Sequence, residues 1–169
     1  MKKMTSRLTD GEYKILDMLA TGRHFVKDIV IPDRDMERWN NTQAEADLIG
    51  VIGEYVVAKY LNIPFDTSIG ICGDGGSVDF CIGEWSCQVK SSKYSTARMV
   101  FNNKDEITAL IYVLVIVDGL DYTISGYITR KDLLGKLYTK DLGHGIRYCI
   151  DQDMLSPISE LQFYHAKYN

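Results

Sequence analysis

Between Ser77 and Ser92 the chain reads SVDFCIGEWSCQVKSS, and three of its residues have types that could act together. Asp79 lies on one short apolar run. Gln88 and Lys90, separated by Val89, lie on the next. The pair Gly83-Glu84 between the runs has the length and composition of a two-residue hairpin turn. Side chains alternate along a strand, so Gln88 and Lys90 share a face. An acid on one strand and an amide-x-lysine on its partner make a metal and phosphate site. Carboxylate and amide oxygens suit a hard divalent cation, and an ammonium suits the charge of a phosphate.

A fourth residue comes from the segment upstream. Thr42 to Leu61 is the strongest helical pattern in the chain, with Leu48, Val51, Ile52, Tyr55, Val56 and Tyr60 on a broad apolar face. Glu54 lies one residue before Tyr55, at about 100° around the helix, so it borders the buried face. A carboxylate there either snorkels to solvent or points into a cleft. Gly50 and Gly53 weaken the helix and imply close packing on one side.

The remaining elements must carry these four residues. Thr9-Asp10-Gly11-Glu12 is a capping box that opens a first helix through Tyr13, Ile15, Leu16 and Leu19, with Gly22 as its stop. Val26 to Ile31 is a short apolar piece ended by Pro32, and Asp33 to Trp39 reads as a polar helix. Asp66 to Ser77 is a loop rich in glycine. It is not a phosphate-binding P-loop, because no Gly-Lys-Ser/Thr follows and a strand comes next. The hairpin runs Val78 to Ile82 and Trp85 to Lys90. Arg98 to Phe101 is a short strand and Asn103 to Ile107 a turn. Ala109 to Val117 is an unbroken β-branched run, the mark of a central strand buried on both faces. Tyr122 to Thr129 pairs with it across Asp118-Gly119. Arg130 to Leu137 is a short helix, Arg147 to Ile150 an edge strand, and Ser159 to Ala166 a last helix. No internal repeat or long linker divides residues 1–169, which read as a single domain.

In type and order, Glu54 on a helix, Asp79 on a strand, and Gln88-x-Lys90 on the hairpin partner resemble the PD-(D/E)XK nuclease superfamily, which includes restriction endonucleases and Holliday junction resolvases. The resemblance spans Gln43 to Asp132, and the stretch Gly126 to Leu134 is similar to small bacteriophage nucleases. It implies an α/β restriction-endonuclease-like fold: a mixed, mostly antiparallel sheet flanked by helices. It also implies a Mg2+- or Mn2+-dependent endonuclease acting on DNA, with branched or phage replication DNA as the substrate. Asp79 would anchor the metal. Gln88 and the main-chain carbonyl of Val89 would add neutral oxygens, and Glu54 would bind directly or through water. Lys90 would orient the attacking water and stabilise charge on the phosphate. Ser91, Ser92 and Lys93 follow the motif as candidate contacts to the substrate backbone. Cutting both strands would favour a homodimer. Gln88 departs from the family, which usually has an acid there and so one more negative charge.

Each residue alone also reads blandly: Asp79, Glu54 and Lys90 are all types that line solvated faces. A second function follows from that reading and from Gln88, namely a catalytically inactive nuclease-fold module that binds nucleic acid or a protein. RNA in place of DNA is a third. The bulk composition is ordinary for a globular domain, 46% hydrophobic and 25% charged. A net charge of −4 argues against an extended nucleic-acid coat but not against a metal nuclease, whose cation offsets its carboxylates. No apolar run is long enough to span a bilayer and no signal peptide is visible, so the expected location is the cytoplasm, that of the host if the gene is phage-borne. Cys72, Cys81, Cys87 and Cys149 form no CxxC pair and read as small buried residues. His24, His144 and His165 carry no partner signal. Tyr94, Arg98 and the Phe163-Tyr164-Tyr168 cluster read as structural.

Overall fold

The computed structural model describes residues 3–30, 41–69, 78–143 and 145–162. Readings on Pro32, 33–39, the glycines at 70–76, Cys72, His144, His165, Phe163, Tyr164 and Tyr168 lie outside the described residues.

The chain begins with strand β1, Met4–Arg7, then helices α1, Asp10–Val30, and α2, Asn41–Leu61. The capping box forms as its residue types require. Glu12 N–H donates to Thr9 Oγ1 at 3.2 Å, and Thr9 N–H donates back to Glu12 Oε2 at 2.8 Å. Gly22 does not stop α1, which continues to Val30. A Cβ at Gly22 would lie 3.0 Å from the Ile69 side chain, so this glycine serves packing instead of termination. β1 is a correction of a different kind: its polar sequence shows no alternation, and it forms because it adds to the edge of a sheet through main-chain bonds.

Downstream come β2, Phe80–Ile82, β3, Trp85–Ser92, β4, Met99–Phe101, β5, Ile111–Asp118, and β6, Asp121–Thr129. Helix α3, Arg130–Lys136, follows, then β7, Tyr138–Asp141, and β8, Ile146–Ile150. The main sheet has the order β1-β6-β5-β3-β2. Its neighbours are antiparallel except β3 and β5, which run parallel from Cys87↔Ile111 to Ser92↔Ile116. The sheet is thus mixed and mostly antiparallel, and α1 and α2 cover one face.

β5 is the buried centre that its β-branched run predicts. Ile111, Val113, Val115 and Val117 face the two helices, while Tyr112, Leu114 and Ile116 face the other way. That second face is covered by α3 and by a three-stranded sheet, β4-β8-β7. β8, expected at an edge, is instead the middle strand of this small sheet. The expectation failed because β7 is polar and exposed, and only pairing with β8 makes it a strand. Cys87 and Cys149 are buried as expected, but Cys81 is exposed. Cys87 pairs with Phe80 on the core side of the hairpin, and Cys81 with Ser86 on the other. Among the described residues no helix is long and apolar enough to cross a membrane.

Candidate functional site

The hairpin has the predicted turn, with Gly83 at φ 59°, a conformation glycine adopts without strain. β2 is short, and its pairing with β3 ends at Phe80↔Cys87. Beyond that point β3 continues to Ser92 with β5 on one side and no described strand on the other. Asp79 meets β3 along this edge, to which no further strand is paired among the described residues.

Asp79 sits just before β2. Its Oδ2 accepts the N–H of Val89 at 2.6 Å, taking the place of the missing strand. The N–H and C=O of a strand residue point the same way, so the Val89 carbonyl lies along the same edge. Burial pushes the Asp79 carboxyl up from its ordinary 3.8 to about 6. The Val89 N–H opposes that rise. The charge of Glu54 adds to it, and those of Lys90 and Arg23 oppose it. These four ionisable groups therefore share one electrostatic neighbourhood.

Glu54 reaches the neighbourhood because α2 lies very close to β3. A Cβ at Gly53 would stand 1.8 Å from Ser91 Oγ and 3.0 Å from Ser91 Cβ, a contact that only glycine permits. Close packing, expected of both glycines, holds for Gly53; a Cβ at Gly50 would meet nothing within 4 Å. Glu54 Oε2 is bound by Arg23 Nη1 at 3.1 Å, both side chains being mostly buried. Arg23 was missed in the sequence because Gly22 was read as a stop. Had α1 been continued, Arg23 would have followed Leu16, Leu19 and Ala20 at buried-stripe spacing, and a charge there demands a partner. The neighbouring pair His24 Nδ1 and Asp47 Oδ2, 2.6 Å apart, joins the same two helices and was missed for the same reason.

Gln88 and Lys90 share a face, as alternation requires, and it is the face opposite the helices. Gln88 pairs in register with Tyr112 and is 8% exposed; Lys90 pairs with Leu114, and its Nζ stands 5.4 Å from the centre of the Phe101 ring. Glu54 and Lys90 thus approach the edge of β3 from its two faces, with Asp79 between them at the rim. Of the candidate backbone contacts, Ser91 turns toward α2, with its Oγ buried and without a hydrogen-bond partner among the described residues. That placement removes its hydroxyl from any open surface. Ser92 Oγ accepts the Tyr94 N–H at 3.2 Å, and Lys93 Nζ, at the surface, donates to Glu45 at 2.8 Å.

At the β3 edge stand the Asp79 carboxylate and the Val89 main chain, with the charge of Glu54 felt from the helix side, while the Gln88 side chain is buried on the opposite face. No group of three or more His, Cys, Asp or Glu side chains collects among the described residues. A buried carboxylate with a main-chain carbonyl beside it has the chemistry of a hard-cation ligand, and a cation would relieve the charge that burial disfavours. Comparison with family models, with curated proteins and with solved structures finds no match to this chain.

Proposed function

We propose that the chain is a divalent-metal-dependent nuclease of the PD-(D/E)XK type that hydrolyses phosphodiester bonds in DNA. One observation carries the reading. A largely buried carboxylate, Asp79, stands at an open strand edge, and the charges of Glu54 and Lys90 both act on it. An acid whose proton affinity is shifted by burial and by specific charged neighbours is a functional-site candidate. Asp79 and Glu54 would hold Mg2+ or Mn2+ with the Gln88 amide oxygen and the Val89 carbonyl. When bound, the ion supplies Lewis acidity to the phosphate and to a water. Asp79 is kept in place by the Val89 N–H. Lys90, stacked on Phe101, carries the positive charge that orients the attacking water and stabilises the phosphate as negative charge builds on it. Lys93, paired with Glu45, and the main chain after Lys90 would be the contacts to the substrate backbone.

The second reading, an inactive nuclease-fold module that binds nucleic acid or a protein, is favoured by two observations. Gln88 is neutral where the family has an acid, and Glu54 already has an arginine partner. Cleavage assays separate the two. Plasmid, linear, four-way-junction DNA and RNA are incubated with Mg2+ or Mn2+ and wild type, Asp79→Ala or Lys90→Ala. A nuclease cuts at least one substrate and both variants lose the activity. Equal behaviour of all three proteins on every substrate sinks the enzyme reading. Cutting of RNA alone reassigns the substrate.

A further inference from the structure

We infer that Arg23 is a positioning residue for the candidate metal site, holding Glu54 in the orientation from which it serves as a ligand; this rests on the reading of Glu54 and Asp79 as ligands. Arg23 extends the inward stripe of α1, and its side chain is 18% exposed. Its guanidinium binds α2 and the segment 66–68. Nη1 donates to Glu54 Oε2 at 3.1 Å, Nη2 to the Asp66 carbonyl at 2.7 Å, and Nε to the Ser68 carbonyl at 3.1 Å. The Asp66 carboxylate lies 3.8 Å from Nη2, and the Phe65 ring centre lies 6.0 Å from the guanidinium carbon. Asp66 is fixed in turn by the Ser68 N–H at 2.9 Å and the Ser68 hydroxyl at 3.0 Å.

A group held at three nitrogens has its orientation determined. The planar fork of arginine can make these bonds together, whereas the point charge of a lysine cannot. The two carbonyl contacts alone would suffice to staple α1 to residues 66–68. The contact to Glu54 is additional, and it ties the one carboxylate contributed by a helix to a fixed anchor. Loss of the Arg23 charge alone leaves Glu54 and Asp79 more negative and so favours a cation, which means that weaker Mn2+ binding in its absence reports lost placement of Glu54. Hydrogen-bonded partners of metal-binding carboxylates set ligand orientation, and losing one lowers metal affinity by roughly 10- to 100-fold.

Calorimetric Mn2+ titration of the full chain tests this. The proteins are wild type, Arg23→Gln, Arg23→Lys, Glu54→Gln, Asp79→Ala and the Arg23→Gln/Glu54→Gln double variant, with thermal melting recorded for each. Arg23→Gln should weaken Mn2+ binding roughly 10-fold and Arg23→Lys nearly as much, because charge without the fork does not place Glu54. In the Glu54→Gln background, Arg23→Gln should add less than about twofold, the sign of action through Glu54. Wild-type affinity in Arg23→Gln, full rescue by lysine, or an equal loss in both backgrounds overturns the assignment. If Arg23→Gln does not fold, Arg23→Lys carries the same two outcomes. A wild type that does not bind Mn2+, or binding that survives Asp79→Ala, overturns the metal reading itself and this inference with it.

Discussion

The start of α1 and the edge of β3 each hold a carboxylate, and the protein treats them in opposite ways. Glu12 is surrounded by donors: Lys59 Nζ and Tyr55 Oη at 2.5 Å, and the N–H and hydroxyl of Thr9 at 2.8 and 2.9 Å. Led by Lys59, they hold its carboxyl at about 2, well below the ordinary 4.5. Among the described residues Asp79 accepts one N–H, that of Val89, and burial lifts it to about 6. Glu12 joins α1 to α2, and its charge is fully used within the fold. The described residues compensate Asp79 only in part, through the Val89 N–H and the charges of Lys90 and Arg23.

The sharpest way to break this contrast is to remove Asp79. Under the nuclease reading Asp79→Ala should lower DNA cleavage roughly 100-fold or more and abolish Mn2+ binding. Glu12→Gln should leave both within about twofold while lowering stability by about 1–2 kcal/mol, through the cap and the charged hydrogen bonds. Chemical denaturation and calorimetry together check the pair.

Gly53 is the next test, because it brings Glu54 to Asp79. Gly53→Ala should destabilise by about 1–3 kcal/mol, since the new methyl must displace Ser91 or α2. It should also weaken Mn2+ binding. Adding Ser91→Gly, which removes the clashing atoms, should restore part of both. Gly50→Ala, with open space around it, should instead stabilise by about 0.5–1 kcal/mol through helix propensity.

Proton linkage gives the smallest and most diagnostic effects, because the two acids have opposite signs. The folded value of Glu12 is depressed, so its contribution to stability is present above pH 4.5 and is lost as pH falls toward 2. The folded value of Asp79 is raised, so it destabilises nothing below 3.8 and increasingly more as pH rises through about 6. In chelator, Asp79→Asn should match wild type near pH 4 and melt higher at pH 7.5, by the equivalent of about 1–2 kcal/mol. The asparagine can still accept the Val89 N–H. Saturating Mn2+ should cancel the wild-type deficit, and identical pH–melting curves with and without Mn2+ would remove the distinction between the two acids.

Much of this arrangement was readable because it rests on strong local patterns. The capping box, the apolar face of α2, the Gly83-Glu84 turn and the β-branched run of β5 each dictate their own local structure. The elements that escaped are those formed by partners. β1 and β7 are polar strands created by pairing, and the continuation of α1 past Gly22 depends on Ile69 packing against that glycine. Within the site, alternation put Gln88 and Lys90 on one face. It could not show that this face is opposite the helices, nor that Ser91 is covered by α2. Arg23 and the His24–Asp47 pair were hidden behind the misread end of α1.

The hydrogen bond from Val89 to Asp79 also has a bearing on solubility. A strand that outlasts its partner offers bare main-chain donors, and such an edge recruits strands from other molecules. Asp79 occupies the first of these positions, and its charge repels an incoming backbone carbonyl. Lys90, on the face opposite the helices, adds a charge whose field also reaches Asp79. An acid at this position also guards the edge against sheet extension, and Asp79→Ala should self-associate more than wild type in analytical ultracentrifugation.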